Sequence, residues 1–362
     1  MINRKLLIIF LIALPGYCQI NKTGRWQYIL PKHYIAYKIT APITIDGKAD
    51  EPVWKLADWT DNFVDIEGHQ KPKPKYRTRV KMLWDDNYFY FYAELEEPNV
   101  WANFIQRDAV IFHNNDFEIF IKPYTDFPQY CEFEMNALNS VWDLLLMNAY
   151  REDGPILNNW DIKGLKTAVH IDGTINDPSD TDKSWSAEIA IPRSALNELR
   201  FKNMQARSPE IWRINFSRVE WDYQVNDGKY ARQRDKNGKL LPEHNWVWSP
   251  QGLIDMHQPE FWGYVKFSEK QPGTDNFALP DDDKIIQALF YLYKKEKEYL
   301  KLHGSYADNI KELDSLMFVF NNKIFNPTID ITNFGFEILF NISYERINYV
   351  INEKGFIKKI RY

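Results

Sequence analysis

Between residues 40 and 268 the chain repeats one pattern: short runs in which apolar and polar side chains alternate with a period of two. Tyr76, Thr78, Val80, Met82 and Trp84 fall on one face of such a run, and Arg77, Arg79 and Lys81 on the other. Asp85-Asp86-Asn87 then supplies turn chemistry, and Tyr88 to Leu95 returns with Phe89, Phe91, Ala93 and Leu95 on one side, which predicts a hairpin. Phe117, Ile119 and Ile121 alternate with Asp116, Glu118 and Lys122, and Cys131, Phe133 and Met135 with Glu132, Glu134 and Asn136. Trp185 to Ile191, stopped by Pro192, and Trp212 to Ser217 repeat the theme. Helical periods are scarce in this region. The expected fold is all-β, an antiparallel, jelly-roll-like β-sandwich. Each sheet should pack one face inward and offer the other to solvent or ligand. The segments 97–115, 137–165 and 220–260 exceed simple turns, and loops of that size usually carry function or cover structure.

The pattern changes after Phe267. Residues 269–280, with two prolines and a glycine, read as a linker. Asp281-Asp282-Asp283 suits a helix N-terminus, Ile285, Ile286, Leu289, Phe290, Tyr293 and Leu300 keep a helical stripe, and Gly304 can close it. Phe334 to Asn341 and Ile347 to Ile360 read as strands, the latter turning at Glu353-Lys354-Gly355. Residues 281–362 thus form a small C-terminal α+β appendage. At the other end, Arg4 and Lys5 precede the apolar run Leu6 to Leu14, the pattern of a secretory signal over residues 1–19. Residues 20–39 then lead in to the sandwich. Export to the periplasm, the cell surface or the medium is expected. A lipid anchor on Cys18 fits poorly behind bulky Tyr17. No second apolar segment is long enough to span a bilayer, so no transmembrane span is expected.

Charge narrows the partners. A net charge of -5 argues against nucleic acid, which needs a concentrated positive field. Cys131, the single cysteine beyond the signal, can form no internal disulfide and reads as a small buried hydrophobe. Zinc-protease, phosphate-loop and nucleophile-elbow motifs do not occur. Aromatic residues make up 16% of the chain, more than a core of this kind needs from Trp.

Six segments, in order, resemble the family 9 carbohydrate-binding modules. They are Ile45-Asp46-Gly47-Lys48-Ala49-Asp50-Glu51-Pro52-Val53-Trp54, Leu83 to Tyr90, Asn115 to Phe120, Trp185 to Pro192, Trp212 to Arg218 and Pro259 to Tyr264. The resemblance covers roughly residues 40–268. It implies a secreted β-sandwich that binds a poly- or oligosaccharide, works beside glycan-degrading enzymes and holds structural calcium. It also implies a sugar clamped between two tryptophans.

The residues point the same way. A pyranose has an apolar C–H face and a hydroxyl rim, and suits an aromatic platform edged by carboxylates, amides and Arg. Trp101, Trp142, Trp221, Trp246 and Trp248 lie in the long polar segments and are the stacking candidates; Trp54, Trp84, Trp185 and Trp212 read as packing. Arg107 and Arg218 are the candidate cations. Arg218 shares parity with Trp212, Ile214 and Phe216, so it should point inward and pair with Asp116 or Glu118, or meet ligand. Asp116 and Glu118 project from one face and can hold a hydroxyl, hold a cation or be solvated. Asp46, Asp50 and Glu51, and Asp85, Asp86 and Asn87, lack EF-hand spacing and read as turn caps. His244 and His257, nearest the candidates, read as polar loop residues. No catalytic residue is assigned. Two other readings stay open: a glycoside hydrolase or its accessory subunit, and a cell-surface interaction module without sugar binding.

Overall fold

The structure, a computed structural model, describes residues 26, 28–123, 127–199, 210–314, 318–320 and 323–362; the expected signal segment 1–19 lies outside them. Fifteen strands precede the appendage among these residues. They are β1 (His33–Lys38), β2 (Val64–Asp65), β3 (Thr78–Trp84), β4 (Tyr88–Glu96), β5 (Asp116–Lys122), β6 (Tyr130–Asn136), β7 (Val141–Leu146) and β8 (Ile156–Leu157). There follow β9 (Lys166–Asp172), β10 (Ser184–Pro192), β11 (Glu210–Glu220), β12 (Tyr223–Asn226), β13 (Lys229–Arg232), β14 (His244–Val247) and β15 (Gly263–Ser268). Thirteen of them form one hydrogen-bonded sheet, in the order β8-β7-β6-β5-β11-β15-β1-β3-β4-β10-β9, with β14 on β11 and β2 on β14.

The sheet curls so that its two halves face each other as a sandwich. Val80, Met82, Phe91, Ala93 and Ile189 from the β3-β4-β10 half meet Phe117, Ile119, Phe133, Ile214 and Phe216 from the β11-β5-β6 half in one core. Phe216 sits among Phe63, Phe91, Phe117 and Trp248, with ring centroids 5.7 to 6.5 Å apart. Aromatic contacts at that spacing add to the area they bury. The β3–β4 hairpin forms as expected, Asp85 Oδ1 accepting from Asn87 N and Tyr88 N at 2.7 Å each. One expectation fails: the sheet is not purely antiparallel. The lead-in segment supplies β1, which runs parallel to both β15 and β3 and joins the halves. Six residues are too few for alternation alone to announce such a strand.

The opening motif is a structural latch. Glu188 on β10 accepts from Asp46 N (2.8 Å), Gly47 N (3.1 Å) and Trp54 Nε1 (3.1 Å), which pins residues 46–54 to the outer face of β10. Gly47, at φ 91°, lies so close to β9 that a Cβ would sit 2.6 Å from His170 N.

The other half departs from the one-face-out expectation. β5 and β6 are buried along their whole length. The outer face of β5, β6 and β7 carries Phe120, Tyr130, Leu144 and Leu146, packed under Ile66, Val247, Met256 and Trp262. The polar residues that alternate with the core here are therefore enclosed.

The appendage holds α1 (Asp283–His303), α2 (Ile310–Leu313), β16 (Phe318–Phe320) paired with β17 (Lys323–Phe325), and the meander β18 (Thr328–Ile331), β19 (Phe336–Ile342), β20 (Ile347–Asn352) and β21 (Ile357–Arg361). Helix α1 lays Leu289, Leu292 and Tyr293 on Ile338, Phe340 and Ile351 and ends at Gly304, φ 75°, as expected. No helix among the described residues is long and apolar enough to cross a membrane. Buried ion pairs fasten α1 to the sandwich. Asp283 accepts from Arg213 and, at 2.7 Å, from Tyr264 Oη. Glu260 binds Arg151 Nη2 at 3.2 Å and Lys294 Nζ at 3.0 Å. Against the cost of burial, these two cations hold the Glu260 carboxyl down at about 2.

Stability from Glu260 is therefore present above the usual glutamate range near 4.5 and is lost as pH falls through it toward 2. Glu260→Gln leaves Arg151 and Lys294 buried without their carboxylate, a cost of ~3–5 kcal/mol at pH 7. Urea denaturation at pH 7 and near pH 3 should show that deficit shrinking on acidification; a deficit independent of pH would contradict the assignment.

Candidate functional site

The outer face of β5, β6 and β7 is covered but not filled. Between it and residues 243–245 and 254–257 lies a cleft of about 480 Å³, within the size range of ligand pockets. Strand geometry places its acids. Asp116 and Glu118 leave β5 on the outer face, and Glu132 and Glu134 leave β6 on the same face, with Glu118 directly across from Glu134 and Phe120 across from Glu132. Glu118, Glu132 and Glu134 line the cleft, and Asp116, fully buried, lies beside them. No Lys or Arg forms an ion pair with any of the four among the described residues. Carboxylate oxygens of Asp116, Glu118 and Glu134 all lie within 4.8 Å of one another.

Two of them accept from backbone amides. Asp116 Oδ1 accepts from Val219 N at 3.1 Å, while its buried Oδ2 has no donor. Glu134 Oε2 accepts from Phe112 N at 3.0 Å. Burial, reinforced by the neighbouring acids, pushes Asp116, Glu132 and Glu134 well above the usual carboxylate range, and burial raises Glu118 to about 7.

The rest of the cleft is aromatic and amphipathic. Trp142 on β7 is half-buried and turns toward it, and Tyr150 is 40% exposed at its edge. Tyr150 packs edge-on to His257, with centroids 4.1 Å apart, and His257 Nδ1 lies 2.7 Å from Tyr130 Oη. Burial and the nearby Arg151 hold His257 down at about 3, so it is a neutral hydrogen-bonding group there. Glu243, Asn245 and Asp255 add further polar groups. An aromatic face beside clustered acceptors is the arrangement that suits a polyhydroxylated ring.

Of the residues singled out from sequence, Trp142, Asp116 and Glu118 meet here. The others sit elsewhere. Trp246 lies on β14, not in a loop, and both it and Trp248 belong to the core; a Cβ on Gly263 would come 2.4 Å from the Trp248 ring. Trp101 and Trp221 are buried in a satellite cluster with Val219, and Trp221 Nε1 donates to Phe112 O at 2.8 Å. Arg107 pairs with Asp143 and, at 2.8 Å, with Asp161, beside a separate groove. Arg218 points inward as expected, but its partners are Glu97 (2.7 Å) and Glu220 (2.8 Å) rather than Asp116 or Glu118. Asp116 and Glu118 leave the opposite face of the sheet, so they cannot meet it.

Glu132 and Glu134 were overlooked as site residues although their signal was present: a second acid pair two apart, on the strand that follows the first. Tyr150, Glu243, Asn245, Asp255 and His257 come from loops, and alternation says nothing about where loops return.

Comparison with known proteins adds a family match. The family model described as carbohydrate family 9 binding domain-like matches residues 45–154, which include both acid pairs, Trp142 and Tyr150. No curated protein matches significantly. Among solved structures, a putative carbohydrate-binding protein from Bacteroides uniformis ATCC 8492 is 18% identical, covers 66% of this chain and 99% of its own, and superposes with a TM-score of 0.49. A family 9 carbohydrate-binding module from Caldicellulosiruptor kristjanssonii, solved with cellotriose, is 16% identical with a TM-score of 0.42, covering 69% of this chain and 100% of its own. The same module with glucose gives 16%, 0.41 and the same coverage. Residues 45–154, which hold the first three of the six motifs, are thus similar to the carbohydrate family 9 binding domain-like model.

Proposed function

We propose that this chain is an exported carbohydrate-binding protein that takes a sugar non-covalently in the cleft over β5, β6 and β7. Trp142 offers the stacking face, Glu118, Glu134 and Glu243 accept from hydroxyls, and Asn245 can both donate and accept. The observation that carries this reading is the cleft itself, in which one partly exposed tryptophan faces a set of carboxylates that no cation among the described residues pairs with. The family match over the same strands supports it. Export is supported by the basic and apolar N-terminal run. A sugar-binding protein so exported would work with glycan-degrading enzymes, delivering or retaining their substrate.

Screening plant, algal and host glycans on an array, cello-oligosaccharides included, followed by calorimetry on the hits, tests the reading. Trp142→Ala and Glu243→Gln should each weaken binding about tenfold or more, roughly 1.4 kcal/mol. Flat isotherms throughout would contradict the function, and unaltered affinity in both variants would contradict the site.

The tryptophans separate in a second experiment. Trp248→Ala, deep in the core, should cost ~3–5 kcal/mol in chemical denaturation. Trp142→Ala should cost markedly less, since its ring already faces the cleft. Equal losses would place Trp142 among the packing residues.

A further inference from the structure

The appendage closes against the sandwich incompletely. Between them runs a groove of about 990 Å³, with Phe127, Met147 and Pro155 on the sandwich wall and Phe356, Ile357 and Ile360 on the appendage wall. Phe127, Phe356 and Ile360 are 46%, 36% and 46% exposed, so the walls are apolar yet open to water. A contiguous apolar surface of that kind marks a contact site. Asn148 Nδ2 donates to Lys354 O at 3.1 Å and ties the two walls together. The groove shares no lining residue with the sugar cleft.

Two further observations say what fits there. The first is the backbone. β21 is the last strand of the meander, and apart from β20 no described strand pairs with it. Successive strand residues point to opposite faces, yet all of Phe356 to Ile360 border the groove, so the strand's edge lies along it. Residues 357–361 contain no proline, and alternate residues turn an N–H and a C=O toward the open side. The second is charge. Residues 353–362 carry Lys354, Lys358, Lys359 and Arg361 against Glu353 alone, a basic end on a chain of net charge -5. Lys359 pairs with Asp282 at 2.9 Å, but Lys354, Lys358 and Arg361 pair with no acid among the described residues. On the facing wall Glu152 is already held by Arg151, Lys297 and Tyr293.

We propose that the free edge of β21 takes an extended, acidic segment of a partner protein as an added strand. The segment's main chain pairs with β21, its apolar side chains enter the groove, and its acids meet Lys354, Lys358 and Arg361. A second copy of this chain fits worse. Antiparallel pairing of β21 with itself sets Lys358, Lys359 and Arg361 against the same cations, and like charges across strands repel. An anionic lipid or sugar would meet the lysines but leave the edge amides unpaired.

The test is fluorescence polarisation of the full chain with a labelled peptide of about nine residues in which Glu and Val alternate. One control peptide carries Lys in place of Glu, and another keeps every Glu but has proline at two of its valines. The acidic peptide should bind saturably and weaken as NaCl rises, with both controls about tenfold weaker or more. Lys358→Glu and Ile360→Asp, both at exposed positions, should each weaken it about tenfold or more. Lys236→Glu, the same charge change between β13 and β14, should leave it unaltered. Unchanged thermal melts establish that the variants fold; should either fail, Arg361→Glu takes its place. No binding of the acidic peptide overturns the proposal, as does affinity that survives the edge variants. Equal binding of the proline peptide reduces the contact to charge and overturns strand addition. A dimer of the free chain in light scattering that Ile360→Asp abolishes places a second copy there and overturns it too.

Discussion

The rest of the molecule depends on one sheet packing against itself. Because β1 runs parallel between β3 and β15, the two halves can curl face to face and bury a ring of aromatic side chains around Phe216. That packing uses the inner faces of β5 and β6 completely. Anything polar on those strands must leave on the outer face, and a strand period of two leaves it no other choice. The acid pairs of β5 and β6 are aligned by the sheet register, whatever loop covers them.

The outer face is then enclosed as well, and this turns a solvated acidic patch into a costly one. Residues 254–262 and β14 bring Met256, Trp262 and Val247 over the sheet, and the carboxylates beneath lose water without gaining a cation among the described residues. Elsewhere the chain handles buried charge differently. Arg218 meets Glu97 and Glu220, Arg213 meets Asp283, and Glu260 meets both Arg151 and Lys294. Buried acids with partners are structural joints, including those that fasten the appendage. The acids of the cleft have no cation partner among the described residues, and Asp116 and Glu134 accept from backbone amides. That contrast, more than acidity itself, marks the cleft as a place prepared for something else.

Much of the sandwich was legible in the sequence, and the reason is physical. Period-two alternation is a local property, so β3, β4, β5, β6, β10 and most of β11 could be read directly, as could the helical stripe of α1. The parallel strand β1 could not, being six residues long and paired only with strands far away in the chain. The site was half legible. Trp142, Asp116 and Glu118 were reachable because loop length and strand parity suggested them. Trp246 and Trp248 misled because a polar neighbourhood in sequence, His244-Asn245 before them and Ser249 after, folds into a strand and core. Arg218 was oriented correctly and paired wrongly, since parity gives the face of a residue but not which distant acid shares it.

The central claim is that ligand enters the cleft over β5, β6 and β7 and nowhere else on the sandwich. Hydrogen exchange read by mass spectrometry, with and without a saturating oligosaccharide, tests it most directly. The account predicts added protection in peptides covering residues 116–120, 132–142 and 243–257, with little change around Arg107 and Asp161. Protection confined to the Arg107 groove, or to the appendage, would contradict it.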